Sequence, residues 1–235
     1  MWLLLAFTYW LAVALLGQLP YIGPGLSMVL LPAFTMSFMA LCAVLDAGAP
    51  FSAAVLAQPF RTRFRDLAIL GALYLVSILI VLTVASLADD GSLLGWALAG
   101  REPSQDAIAE GSPSRALLVT AVAGAPVALA FWFAPPLVAW AGMGAAQSLF
   151  YSFFAALRNW RAFLVYFAVL MLVGVAMVSA LATVAVVTRG RADAVRSVLL
   201  LFTIFSMPIL FGSFYASYRE VFPAAGPSSA GPAAE

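Results

Sequence analysis

The sequence predicts an all-α integral membrane protein: six transmembrane helices in three hairpin-like repeats, with short amphipathic interfacial helices. Three observations predict it. Of 235 residues, 65% are apolar and 9% are charged, too few charges to cover a soluble domain and enough for helices wrapped in lipid. Six runs approach the roughly 20 mainly apolar residues that cross a hydrocarbon core of about 30 Å. Proline recurs in every second run.

The first span runs from the chain start to about Leu19. It lacks the basic n-region and the cleavage site of a signal peptide, and Gln18 to Gly25 (QLPYIGPG) reads as a tight turn into another span. An uncleaved first helix is expected. The second span covers about Leu26 to Leu45, the third Leu67 to Leu87, and the fourth Ala116 to Trp140. The fifth covers about Ala162 to Val187 and the sixth Val195 to Tyr215. Residues 1–222 thus form a single transmembrane domain, and 223–235 (PAAGPSSAGPAAE) are expected to be a disordered tail.

Spans one, three and five contain no proline. Span two holds Pro32, span four Pro126, Pro135 and Pro136, and span six Pro208. Proline removes a backbone donor and clashes with the preceding turn, so each returning span is expected to kink there. The freed carbonyls need partners inside the bundle. Two segments ahead of outward spans also match. Phe60, Phe64 and Leu67 recur at helical spacing with Arg61 and Arg65 on another face; Phe150, Phe153, Phe154 and Leu157 do the same, opposed by Gln147, Ser148, Ser152 and Asn159. Both read as helices in the interface plane, each ending in an aromatic–arginine pair, Phe64-Arg65 and Trp160-Arg161. The repeating unit is interfacial helix, straight outward span, kinked return span. Spans one and two form a third copy without the interfacial helix; either that copy never had one or the chain starts late relative to its relatives.

Arg61, Arg63, Arg65, Arg158, Arg161 and Arg219 fall on one side of these spans, opposite an acidic loop with Asp89, Asp90, Glu102, Asp106 and Glu110. The positive-inside rule places both termini in the cytoplasm. Arg189, Arg191 and Arg196, at the turn between spans five and six, weigh against that orientation.

Leu30 to Asp46 (LLPAFTMSFMALCAVLD) and Trp132 to Tyr166, with the APPLV run at Ala134 to Val138 and the SLFYSFF segment ahead of Arg158 and Trp160, resemble an uncharacterised family of multi-spanning proteobacterial inner-membrane proteins. The resemblance covers nearly the whole chain. It implies an inner (cytoplasmic) membrane location and carries over no catalytic residue, because the family has no established activity. Family members usually carry a basic, aromatic segment before the first span, and this sequence departs from that pattern at its start.

The missing residue types limit the chemistry. With no His and no Lys there is no imidazole base, no haem or zinc imidazole ligand and no Schiff base. Cys42 is alone and reads as a small buried residue. No Asp, Glu or Arg lies near the middle of any span, where ion-coupled transporters and proton relays place such groups. The hydroxyls in the spans, Thr35, Ser37, Tyr74, Tyr166 and Ser206 among them, are expected to bond their own helix or a neighbour. The acidic loop lacks EF-hand spacing and reads as a solvated face. No catalytic residue, cofactor or metal site is therefore expected, and a net charge of +1 gives no reason to expect nucleic acid as a partner. The leading function is a non-enzymatic protein acting by contact, as an accessory subunit, assembly factor or bilayer organiser. Its partners would be membrane lipids and another membrane protein complex, met through Arg61, Arg65, Arg158, Trp160 and Arg161. The alternative is a transporter or lipid-handling protein using a groove between the kinked return helices.

Overall fold

A computed structural model describes residues 2–19, 22–50, 52–89, 91, 95 and 112–223. Asp90, Trp96, Glu102, Asp106, Glu110 and, beyond Pro223, the C-terminal tail lie outside the described residues. The described residues form helices and turns, with no strand among them.

The first hairpin is α1 (Trp2–Gly17) and α2 (Ile22–Asp46). The turn between them is tight: a Cβ on Gly23 would lie 1.9 Å from the Leu16 carbonyl oxygen, so only glycine fits. Then come α3 (Ala53–Thr62) and α4 (Phe64–Ser86), separated by the single non-helical residue Arg63. The Ser52 side chain caps α3 by accepting the Ala54 N–H at 3.3 Å. The break at Arg63 divides the expected Phe60–Phe64 stripe between two helices. The chain returns through α5 (Ser112–Trp132) and α6 (Ala134–Ala139). The last pieces are α7 (Ala145–Arg158), α8 (Trp160–Val187) and α9 (Ala192–Val221). α7 and α8 are again separated by one residue, Asn159, whose amide donates to the Ala155 carbonyl at 2.8 Å.

Five of these stretches are long and apolar enough to cross a membrane: Ile22–Asp46, Phe64–Ser86, Ser114–Ala139, Trp160–Val187 and Asp193–Val221. α1 is apolar but has 16 residues, about 24 Å at 1.5 Å per residue.

The prolines are not equivalent. Pro32, Pro126 and Pro208 sit within continuous helices. The fourth span is instead interrupted at Phe133, just ahead of Pro135 and Pro136. Neither proline has an N–H, so the carbonyls of Phe131 and Trp132 lose their helical donors. Ser152, on α7, bridges the break: its hydroxyl accepts the Phe133 N–H at 2.8 Å and donates to the Leu129 carbonyl at 2.9 Å.

α2 is the central helix, packed against α1, α3, α4 and α9, while α4 packs on α5 and α5 on α7. A Cβ on Gly71 would lie 2.1 Å from the Val29 carbonyl oxygen, which marks the close approach of α4 to α2. The core gathers Met36, Met39, Leu67, Leu70, Phe133, Leu137 and Tyr218 at the end of the bundle that carries Arg63 and Arg219. Three polar contacts between elements tie that end together. Arg219 pairs with Asp46, which also accepts the Tyr215 hydroxyl at 3.3 Å, and Arg63 donates to the Met143 carbonyl at 3.4 Å. α8 is the most exposed of the long helices: Phe163 is its one buried residue, whereas α9 buries Tyr215 and Tyr218.

Hydroxyls inside the helices mostly bond one turn back. Ser77, Thr83, Thr183 and Thr203 each donate to the carbonyl four residues earlier. Ser37 also reaches the Leu56 carbonyl on α3 at 2.7 Å, and Tyr166 meets Ser213 across the α8–α9 pair at 3.1 Å.

Candidate functional site

Two cavities lie between the helices, and Trp132 is part of the wall of both. The larger, about 720 Å³, sits where α7 ends, α8 begins and α9 ends. Its charged side chains are Arg158 and Glu220; Asn159, Tyr151 and Ser217 add neutral polar groups, and Phe133, Phe163 and Phe222 line the rest. Among the described residues, neither Arg158 nor Glu220 forms an ion pair. The smaller cavity, about 360 Å³, is lined by Pro32 and Thr35 of α2, Tyr74 of α4, Pro135 of α6, Phe167 of α8, and Phe211 and Phe214 of α9. It is nearly all apolar. Tyr74 is ten residues into α4, so this cavity lies about 15 Å along the helix from the arginine-bearing end. Both volumes fall within the roughly 300–1,000 Å³ of small-molecule sites.

Trp132 is held at the junction by edge-on contacts to Phe163, Tyr166 and Phe214, each with ring centroids 5.4 Å away. Its indole N–H is buried and has no hydrogen-bond partner among the described residues.

The sequence-predicted residues divide. Arg158 lines the larger cavity; Arg61 and Arg65 are exposed around the α3–α4 junction and line neither. Trp160 and Arg161 are exposed at the start of α8, the guanidinium 5.5 Å from the indole centroid. Pro32 and Pro135 line the smaller cavity, Pro136 is buried in the core, and Pro126 and Pro208 lie away from both cavities. Trp132, Tyr151, Ser217 and Glu220 enter the site without a sequence motif to mark them. The one signal for Glu220 was a carboxylate closing an apolar run, in Tyr218-Arg219-Glu220. Among the described residues, no three His, Cys, Asp or Glu side chains come together as a metal would need.

No protein-family model matches the chain, and no solved structure matches it. A probable inner membrane protein of Burkholderia thailandensis is 34% identical over 224 residues, spanning 93% of this chain and 83% of its own. Identity at that level over nearly the full length, in a chain with five helices fit to cross a bilayer, is shared ancestry with a shared fold. The chain is a membrane protein and belongs to the family of that Burkholderia thailandensis inner membrane protein.

Proposed function

We propose that this protein is a non-enzymatic, multi-pass inner-membrane protein that holds a lipid in the groove between its return helices. The observation that carries the reading is the pair of cavities meeting at Trp132. One carries charge at the arginine-bearing end, and the other is apolar, about 15 Å along α4 from that end, and flanked by Pro32 and Pro135. That order of polar and apolar lining matches a lipid, and water would gain little from the inner cavity. In the same reading α1 crosses the membrane as a sixth, short span. α3 and α7 lie at the interface, and both termini face the cytoplasm with Arg61, Arg65, Arg158 and Arg161. The parallels between α3–α4 and α7–α8, each a short helix, one non-helical residue and a long helix, support an internal repeat.

A photoactivatable phospholipid with a diazirine in the acyl chain tests the groove. Adducts are expected on Phe167, Phe211 and Phe214, and they should fall when Ala128→Trp fills the smaller cavity. Adducts spread evenly over the outward-facing Met171, Leu172 and Val175 would mean surface lipid only and would end the groove reading.

Action by contact with another membrane protein complex is the second reading. It is favoured by α8, whose apolar face from Leu164 to Val178 is exposed with little of the bundle against it. Co-purification in mild detergent tests it: a partner lost on replacing Met171 and Val175 with Trp supports contact, and a partner unaffected by those changes does not.

A further inference from the structure

Resting on the groove reading, we infer that the lipid is a zwitterionic aminophospholipid, with its phosphate against Arg158 and its ammonium against Glu220. The larger cavity is lined by one cation and one carboxylate. They come from different elements, Arg158 ending α7 and Glu220 lying one residue before the end of α9. They do not pair with each other, and neither has another ionic partner among the described residues. Both side chains are exposed to the cavity mouth rather than buried, so a ligand reaches them without rearrangement.

The charge pattern separates the lipid classes. A headgroup with phosphate alone satisfies Arg158 and is repelled by Glu220. A headgroup carrying phosphate and a primary ammonium satisfies both, each through a charge-assisted hydrogen bond. Tyr151 and Phe154 line the α7 side of the same cavity beside Arg158. The remaining lining turns apolar toward Phe163 and Trp132, where the acyl chains begin.

The test uses the full chain in non-ionic detergent, titrated with phosphatidylethanolamine or phosphatidylglycerol carrying brominated acyl chains. The readout is the part of the tryptophan quenching that is lost in Trp132→Phe. Native mass spectrometry of retained lipid gives the same comparison without relying on that variant. Phosphatidylethanolamine is expected to act at a several-fold lower mole fraction than phosphatidylglycerol. Glu220→Gln should reverse the preference by removing both the ammonium partner and the repulsion. Arg158→Gln should weaken both lipids about tenfold, the scale of one charge-assisted bond. Trp132-dependent quenching with equal affinity for the two lipids and no effect of Glu220→Gln would overturn the headgroup assignment and leave the groove standing. Absence of Trp132-dependent quenching and of retained lipid would overturn the groove itself.

Discussion

Ser152 carries a structural role that its residue type hardly advertises. Its hydroxyl stands between Leu129 and Phe133 at the break, taking the Phe133 N–H and giving its proton to the Leu129 carbonyl. In a bilayer no water replaces those partners. Ser152→Ala should therefore cost about 1–3 kcal/mol in detergent unfolding. Ser148→Ala, at a hydroxyl that bonds only the Ala145 carbonyl of its own helix, should cost well under 1 kcal/mol. Equal losses from the two would remove the bridging role. Glycine is read the same way. Gly71→Ala forces a Cβ to within 2.1 Å of the Val29 carbonyl oxygen, so α2 and α4 must separate, at about 1–3 kcal/mol or more. Gly124→Ala meets nothing nearer than a Val81 methyl at 3.9 Å and should be close to neutral in the same assay.

α7 is turned the opposite way from a helix on a soluble protein. Ser148 and Ser152 are fully buried, while Phe150, Phe154 and Leu157 are 61%, 51% and 46% exposed. Ser152 on the buried polar face bonds Leu129 and Phe133 beside the break between α5 and α6, and the aromatic face is left exposed. Of the face read from sequence as Gln147, Ser148, Ser152 and Asn159, Ser148 and Ser152 are buried, Asn159 is half-buried and Gln147 is exposed. The arginines flanking α3 and α7 should add up to about 1 kcal/mol each against anionic lipid. Replacing Arg61, Arg65, Arg158 and Arg161 with Glu is expected to weaken binding to anionic vesicles or membrane insertion, most strongly at low salt. Sparing Arg158 in a triple variant separates this belt effect from the cavity. Unchanged insertion and lipid binding in both would make the belt a protein-facing surface.

Across the described residues, one group of polar contacts links helices far apart in the chain at one end of the bundle. Asp46, Tyr215 and Arg219 join α2 to α9, and Arg63 reaches from the α3–α4 junction to Met143. Those residues share that end with Arg61, Arg65, Arg158 and Arg161, and the opposite end holds Asp89, Arg115 and the α8–α9 turn at Arg189. If the first end is cytoplasmic, cysteines introduced between Asp89 and Glu110 should react with an impermeant thiol reagent in intact cells. Cys42 is 7% exposed and buried in α2, so it adds little background. Reaction only after permeabilisation would reverse the orientation.

Membrane class and the positions of the long helices were legible in the chain because lipid imposes a local rule: each span must be apolar along its own length. Runs such as Phe64–Ser86 and Trp160–Val187 satisfy that rule without reference to any other part of the chain. The fate of a proline was not legible. Pro32 stays within a continuous helix, while Pro135, followed by Pro136, adjoins a break that Ser152 on another helix bridges. The groove was hidden for the same reason. Trp132, Arg158, Phe163 and Glu220 come from α5, α7, α8 and α9, and each looks ordinary in its own segment. What unites them is packing between helices far apart in sequence, as in the ring contacts of Trp132 and Phe133 with Phe163 and Phe214, which no single segment shows on its own.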